Sequence, residues 1–203
     1  MKTAKNSTEE QIIEAARKIF TRKGLAGARM QDIADEAGIN KAMLHYYYRS
    51  KDALFELVFR EALDKMIGRM NVILEGPLSF REMISALVEN YIQQIGENPY
   101  LPVFVMNELH QQPMEFLQQL QQRRNFPNVA RFLQTVQRAS EAGEIRSVNP
   151  IQLMLSIISM CIFPFMARPM AQLVAGLSDQ QFDRLMEERK REVVDFILAG
   201  LRP

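Results

Sequence analysis

Residues 30–48, Met-Gln-Asp-Ile-Ala-Asp-Glu-Ala-Gly-Ile-Asn-Lys-Ala-Met-Leu-His-Tyr-Tyr-Tyr, space their apolar side chains as two short helices joined by a tight turn. Met30, Ile33, Ala34 and Ala37 recur at three and four residues, so they share one face of the first helix. Ala34 is small where a second helix must cross closely. Gly38, four residues on, can take the positive φ that such a turn requires. Asn40 is placed to cap the next helix by accepting free N–H groups of its first turn. Leu44 and Tyr48, one turn apart, then point back to the core, leaving Lys41, Met43, His45 and Tyr46 facing away. A helix-turn-helix over about residues 29–48 that turns a cation, an amide and ring hydroxyls outward is suited to reading DNA.

The rest of the chain is punctuated as helices. Thr8 with Gln11, Ser79 with Glu82 and Ser178 with Gln181 fit the capping box, while Asn98-Pro99 and Asn149-Pro150 place proline just inside a helix start. Gly24, Gly96, Gly143 and Gly176 read as stops, and no stretch alternates with period two. The expected fold is all-α. Helices are predicted near Thr8–Lys23, from Ser50 to about Met70, and near Phe80–Ile95, Leu101–Gln111, Met114–Arg124, Val129–Ala142, Ile151–Val174 and Asp179–Leu201. The domains follow as a three-helix head at 1–52 and a larger helical body at 53–203.

The head resembles the tetracycline-repressor (TetR) family of bacterial transcription regulators. The likeness runs from Glu10–Gly24 through Ile33-Ala34, Ala37-Gly38-Ile39, Lys41, Leu44, Tyr46 and Ser50-Lys51-Asp52-Ala53-Leu54. It covers about a quarter of the chain; the remainder resembles the family in being helical and of the expected length. The resemblance implies a homodimeric, ligand-responsive DNA-binding protein, a repressor by family default. This chain has Ala28-Arg29 where the family usually has hydroxyl residues, Met43 for Thr or Ser, His45 for Tyr, and Tyr47-Tyr48 for His-Phe. Those departures bear on the operator sequence and leave the fold alone.

A helix in the major groove meets base edges with its first turns and phosphates at its flanks. Lys41 can donate to guanine O6 and N7, and Gln31 can pair with adenine N6 and N7. Asn40 belongs to the same interface as the cap of the reading helix. By family position Ala42 approaches the bases, Met43 meets a thymine methyl, and His45, Tyr46, Tyr47 and Lys51 contact phosphates or nearby bases. Arg29 adds a candidate phosphate contact. The alternatives are a solvated Lys41, an exposed first-turn Lys51, and packing for the tyrosines, Tyr48 above all. Residues 1–52 carry ten Lys or Arg against seven Asp or Glu, whereas the whole chain is only +1. The sign agrees with a basic head on a mildly acidic body.

Thirteen methionines and twelve phenylalanines are many for 203 residues, and both fill irregular apolar space adaptably. Phe59, Met66, Met83, Leu87, Tyr91, Phe104, His110, Phe116, Phe132, Met154, Ile158, Cys161 and Phe165 are candidates for a ligand pocket, each also open to an ordinary core role. The uncharged run from Ser147 to Ala167 approaches membrane-spanning length. Asn149, Gln152, Ser156, Ser159 and Pro164 favour instead a buried helix kinked near the proline. Its cover is expected from a second subunit, through a four-helix interface of Ile151 and Leu155 with Phe182, Leu185, Met186, Val193, Phe196 and Ile197. Two heads about 34–36 Å apart on a palindrome are also what one short reading helix needs for specificity.

One cysteine and two histidines exclude an intramolecular disulfide and argue against a zinc site; no metal or cofactor is expected. The polar start fits a cytoplasmic protein. An enzyme would need a base beside a nucleophile, a phosphate loop or paired acids, and no such pattern stands in the chain. A helical protein-interaction adaptor without sequence-specific DNA binding is the other alternative.

Overall fold

The computed structural model describes residues 2–122 and 126–203, with side chains from Thr8 onward. Among these residues every regular element is helical: α1 (Lys2–Gly27), α2 (Met30–Glu36), α3 (Lys41–Tyr47), α4 (Lys51–Glu75), α5 (Phe80–Glu97), α6 (Leu101–Gln111), α7 (Pro113–Gln122), α8 (Val129–Glu141), α9 (Pro150–Met166), α10 (Arg168–Ala175) and α11 (Asp179–Gly200). Several caps close as their residue types require. Ser79 and Glu82 bond reciprocally, as do Ser178 and Gln181, and Asn149 Oδ1 accepts from the amides of Ile151 and Gln152. The helix expected to start at Thr8 begins instead at Lys2, because no glycine or proline interrupts the residues before it. The end expected at Arg124 lies outside the described residues.

The chain divides into two compact units. The first comprises Met1–Leu63 and Asn98–Asn107, the second Asp64–Glu97 and Glu108–Pro203. The division differs from one at residues 52 and 53 in two respects: the first unit takes residues 53–63 of α4, and it takes most of α6.

In the first unit Ile12, Ala16, Ile19 and Phe20 of α1 are buried with Ile33 and Ala34 of α2, Leu44 of α3, and Leu54, Val58 and Phe59 of α4. Phe104 of α6 joins them through an aromatic cluster, 6.3 Å from the Phe55 ring and 6.2 Å from that of Phe59. Gly24 makes the close passage at the end of α1. Its backbone stands at φ 65, ψ 177, a region open essentially to glycine, and a Cβ there would lie 3.0 Å from the Tyr100 hydroxyl. Gly24→Ala should therefore cost about 1–3 kcal/mol of stability by thermal or urea denaturation.

The second unit is built on α5, which packs against α9 and α11, with α8 on α5 and α9. Its core runs through Ile84, Leu87, Val88 and Ile92 of α5, Val136 of α8, Leu153, Ile157 and Cys161 of α9, and Val193 and Ile197 of α11. The single helix expected over Ile151–Val174 is two helices bent by 71°. The break falls at Ala167, three residues beyond the expected kink at Pro164. A mid-helix proline withholds the N–H that the carbonyl four residues earlier would accept. For Pro164 that carbonyl belongs to Met160, and Arg189 Nε of α11 donates to it at 3.0 Å. The break instead precedes Pro169, which sits in the first turn of α10, where its missing N–H is harmless. Arg168 fastens the corner, pairing with Asp179 and Asp183 and lying 4.7 Å over the Phe182 ring.

Arg189→Leu should leave the Met160 carbonyl unmatched, costing about 1–3 kcal/mol. Combined with Pro164→Ala, which restores the N–H, it should cost measurably less; urea denaturation of the two singles and the double reads that coupling. Additive losses would mean that Arg189 acts elsewhere.

No single helix among the described residues is long and apolar enough to cross a membrane; α9 and α10 reach that composition only across their bend.

Candidate nucleic-acid interface and apolar cavity

The turn between α2 and α3 forms as its residues require. Gly38 adopts φ +68 with open space around it, and Ile39 donates its N–H to the Ala34 carbonyl at 3.0 Å. Asn40 Oδ1 accepts from the Met43 amide at 2.7 Å, fixing where α3 begins. Leu44 is fully buried and anchors α3, which has only seven residues. Lys41, Ala42, Met43, His45 and Tyr46 are left exposed, Tyr46 at 77%. Tyr47 is half-buried and meets Tyr46 edge to face, with ring centroids 5.4 Å apart. Tyr48 is also half-buried, and burial, followed by the charges of Glu9 and Glu61, pushes its phenol pKa up.

Two of the three acids of α2, Asp32 and Glu36, are matched by cations, while Asp35 accepts only from the neutral Gln31 amide. Asp32 binds Lys23 at 2.9 Å and accepts from the Arg29 amide; Glu36 lies between Lys18 and Arg22. The hydrogen bond from Lys23 leads in holding the Asp32 carboxyl below its usual range. This depressed pKa makes the folded state's preference for ionised Asp32 full above the ordinary carboxylate range, and it fades as pH falls through the lowered value. Matched acids repel an approaching phosphate less than bare ones would. Lys41, in contrast, forms no ion pair among the described residues.

Two candidate contacts are engaged within the protein. Gln31 Nε2 donates one hydrogen to Asp35 Oδ1 at 2.7 Å, which holds the amide in place and leaves its second N–H and its Oε1 for a base. Lys51 is half-buried and its ammonium donates to the Ala28 carbonyl at 3.1 Å, which ties the start of α4 to the linker between α1 and α2. Arg29 is exposed at the α2 N-terminus. Arg49, an exposed cation just past α3, was not among the sequence candidates, since the helix-turn-helix pattern stops at Tyr48.

The second unit holds a partly open cavity of about 200 Å³. Met70 and Leu74 of α4 line it with Leu87 and Tyr91 of α5, Val129 and Phe132 of α8, and Met154, Ile157 and Ile158 of α9; Pro127 closes one side. The loop that carries Pro127 is pinned by Asn71, whose amide donates to the Phe126 carbonyl at 3.1 Å and accepts from the Asn128 amide at 2.9 Å.

Of the ligand candidates, Leu87, Tyr91, Phe132, Met154 and Ile158 come together here. The others stand elsewhere. Phe59 and Phe104 are buried in the first unit, Met83 and Cys161 belong to the second unit's core, and Met66 and Phe165 pack against it. Phe116 is buried on α7, and His110 is exposed near the end of α6. Met70 and Leu74 continue the four-residue spacing from Met66 but were overlooked, because α4 was expected to stop about Met70.

The expected interface residues also divide. Phe182, Met186, Val193 and Ile197 are buried in the chain's own interior and offer no surface to a second subunit. Ile151, Leu155, Leu185 and Phe196 are exposed, and the same helices expose Phe163, Met166, Met170, Leu173 and Val174. Along α9 Ile151, Leu155, Ser159 and Met166 are exposed, at intervals of four and seven, while Ile162 between them packs against the core. Exposed apolar side chains grouped on these helices are candidates for cover by another molecule.

Residues 12–58 match the family described as "Bacterial regulatory proteins, tetR family", and residues 81–197 match "Tetracyclin repressor-like, C-terminal domain". The chain is 33% identical over 81 residues to the HTH-type transcriptional repressor KstR2 of Mycolicibacterium smegmatis, a match covering 40% of each chain. It is 35% identical over 92 residues to the HTH-type transcriptional regulator RutR of Escherichia coli K12, covering 44% of this chain and 40% of RutR. Both matches thus span less than half of the relative's length. The crystal structure of the TetR family transcriptional regulator PfmR from Thermus thermophilus superposes with a TM-score of 0.67 at 24% identity, over 95% of this chain and 99% of that one.

Proposed function

The chain belongs to the tetR family of bacterial regulatory proteins, and from that premise we propose that it is a repressor that binds a palindromic operator as a homodimer and is released by a small apolar or amphipathic molecule. That it is a transcriptional regulator follows from the family. The finer reading rests above all on α3, whose capped start and buried Leu44 leave Lys41, Ala42, Met43, His45 and Tyr46 projecting outward. Lys41 reads a base edge or a phosphate, Ala42 and Met43 lie against the bases, and His45, Tyr46 and Tyr47 meet the backbone. Asn40 fixes the helix, Lys51 contacts phosphate or holds the linker, and Arg29 and Gln31 add contacts from α2. The DNA-binding region is residues 1–52, and residues 53–203 carry ligand binding and dimerisation. That KstR2 is named a repressor supports repression here.

Release follows from linkage. A ligand that binds better to a conformation with wrongly spaced heads must weaken DNA binding by the same free energy.

Selection of bound sequences from a random DNA pool tests the proposal. A palindrome with half-sites one helical turn apart, about 34–36 Å, is the expected result; retention indifferent to sequence would overturn it. Lys41→Ala should lower operator affinity by about 1–3 kcal/mol if the ammonium reads a base edge, or reduce the salt slope by about one if it neutralises a phosphate. Fluorescence anisotropy across a salt series distinguishes the two, and no change in either removes Lys41 from the interface.

A further inference from the structure

We infer that the cavity of the second unit takes an uncharged, hydrocarbon-rich molecule of one or two rings carrying a single hydrogen-bonding group that meets the Tyr91 hydroxyl. The inference rests on the reading above, that this regulator answers to a small molecule, and names the chemistry of that molecule.

Charge is excluded by the walls. Among the described residues that line it, Tyr91 alone bears a polar side-chain group in an otherwise aliphatic and phenyl wall, and none is Lys, Arg, His, Asp or Glu. A carboxylate or ammonium placed there would lose its hydration with no counter-charge to replace it, a penalty that keeps ionised groups out of such sites. The Tyr91 hydroxyl and the Cys161 thiol stay neutral as well. Burial pushes the Cys161 thiol up to about 12, and burial, with Cys161 beside it, pushes the Tyr91 phenol pKa up. Tyr91 therefore offers a neutral hydroxyl that can donate or accept. Among the described residues no hydrogen bond holds it.

Size follows from volume. An apolar cavity of about 150 Å³ accommodates benzene. This one, at about 200 Å³, suits a substituted benzene or a small fused bicycle and is too small for a large polycyclic skeleton. Shape is given some latitude by Met70 and Met154 on opposite helices, whose unbranched side chains adapt to irregular ligands.

The test uses the full chain with three probes of nearly equal size: p-cresol, toluene and p-toluate. Isothermal titration calorimetry should show p-cresol binding, toluene binding more weakly, and no heat from p-toluate. Tyr91→Phe, which keeps the ring, should lower p-cresol affinity by about five-fold and leave toluene unchanged. Ile158→Phe, which fills the cavity, should abolish both while the circular dichroism spectrum stays helical. The inference is overturned if p-toluate binds as tightly as p-cresol, if neither neutral probe binds the folded chain, or if Tyr91→Phe leaves the ratio of the two affinities unaltered. Operator retention measured on the same samples separates the two levels. If p-cresol occupies the cavity while operator affinity stays constant, the assigned chemistry is supported and the claim of ligand release fails for that probe.

Discussion

Phe196→Glu is expected to leave the chain folded, make it monomeric and lower operator affinity by a factor on the order of 10²–10⁴. Phe196 is 72% exposed on α11, while its neighbours Val193 and Ile197 on the buried face hold the helix to the core. The substitution therefore leaves the buried face of α11 in place. Against a second copy seated on this helix it would place a carboxylate at a site of apolar contact, where it would lose hydration without gaining a partner. Two tethered heads gain affinity because the second binds at high effective concentration once the first is placed. Dissociation of the dimer removes that gain without altering any side chain of α3. Sedimentation velocity and anisotropy, run on the same preparation, read the two effects. A dimer that persists with unaltered operator affinity would mean that the outer face of α9 and α11 is not the interface. Leu173→Glu, at a position 84% exposed on α10, tests whether α10 also belongs to the interface.

How far the interface was legible in the sequence follows from helix geometry. A stripe at three and four residues identifies an apolar face, and α11 has one broad enough to serve two neighbours. Phe182, Met186, Val193 and Ile197 face the interior, whereas Leu185 and Phe196 lie on its flank and are exposed. Periodicity alone does not say which part of a wide stripe the chain itself covers. The helix-turn-helix was legible for the opposite reason. Its buried set, Ile33, Ala34 and Leu44, is narrow, its turn needs Gly38, and its cap needs Asn40, so few arrangements satisfy all of them.

The bend in the long apolar run shows what local signals omit. Pro164 and Pro169 look alike as helix breakers, yet the helix passes through the first and stops before the second. The difference lies twenty-five residues downstream of Pro164, in an arginine that meets the orphaned Met160 carbonyl. The cavity was half legible for a similar reason. Leu87, Tyr91, Phe132, Met154 and Ile158 lie on helices whose inward faces were clear, but Pro127 reaches it from a loop held by Asn71, more than fifty residues away in the chain.

Phe104→Ala is expected to cost about 3–5 kcal/mol and to act on the first unit, not on the cavity. Phe104 is 3% exposed, and its ring completes the cluster in which Phe55 and Phe59 stand with centroids 4.4 Å apart. Truncation leaves a void against two rings belonging to α4, itself packed with the buried residues of the head. Because a domain's whole stability is typically about 5–15 kcal/mol, such a loss is enough to populate the unfolded first unit near physiological temperature. Hydrogen exchange should therefore quicken in α1, α2 and α3 and remain slow in α5 and α11, with operator affinity falling as the folded fraction falls. The affinity of the cavity for p-cresol should hold, since Phe104 belongs to the first unit and all the lining residues belong to the second. A variant that kept its head stable and lost the neutral probe would return Phe104 to the ligand-binding role that its aromatic character first suggested.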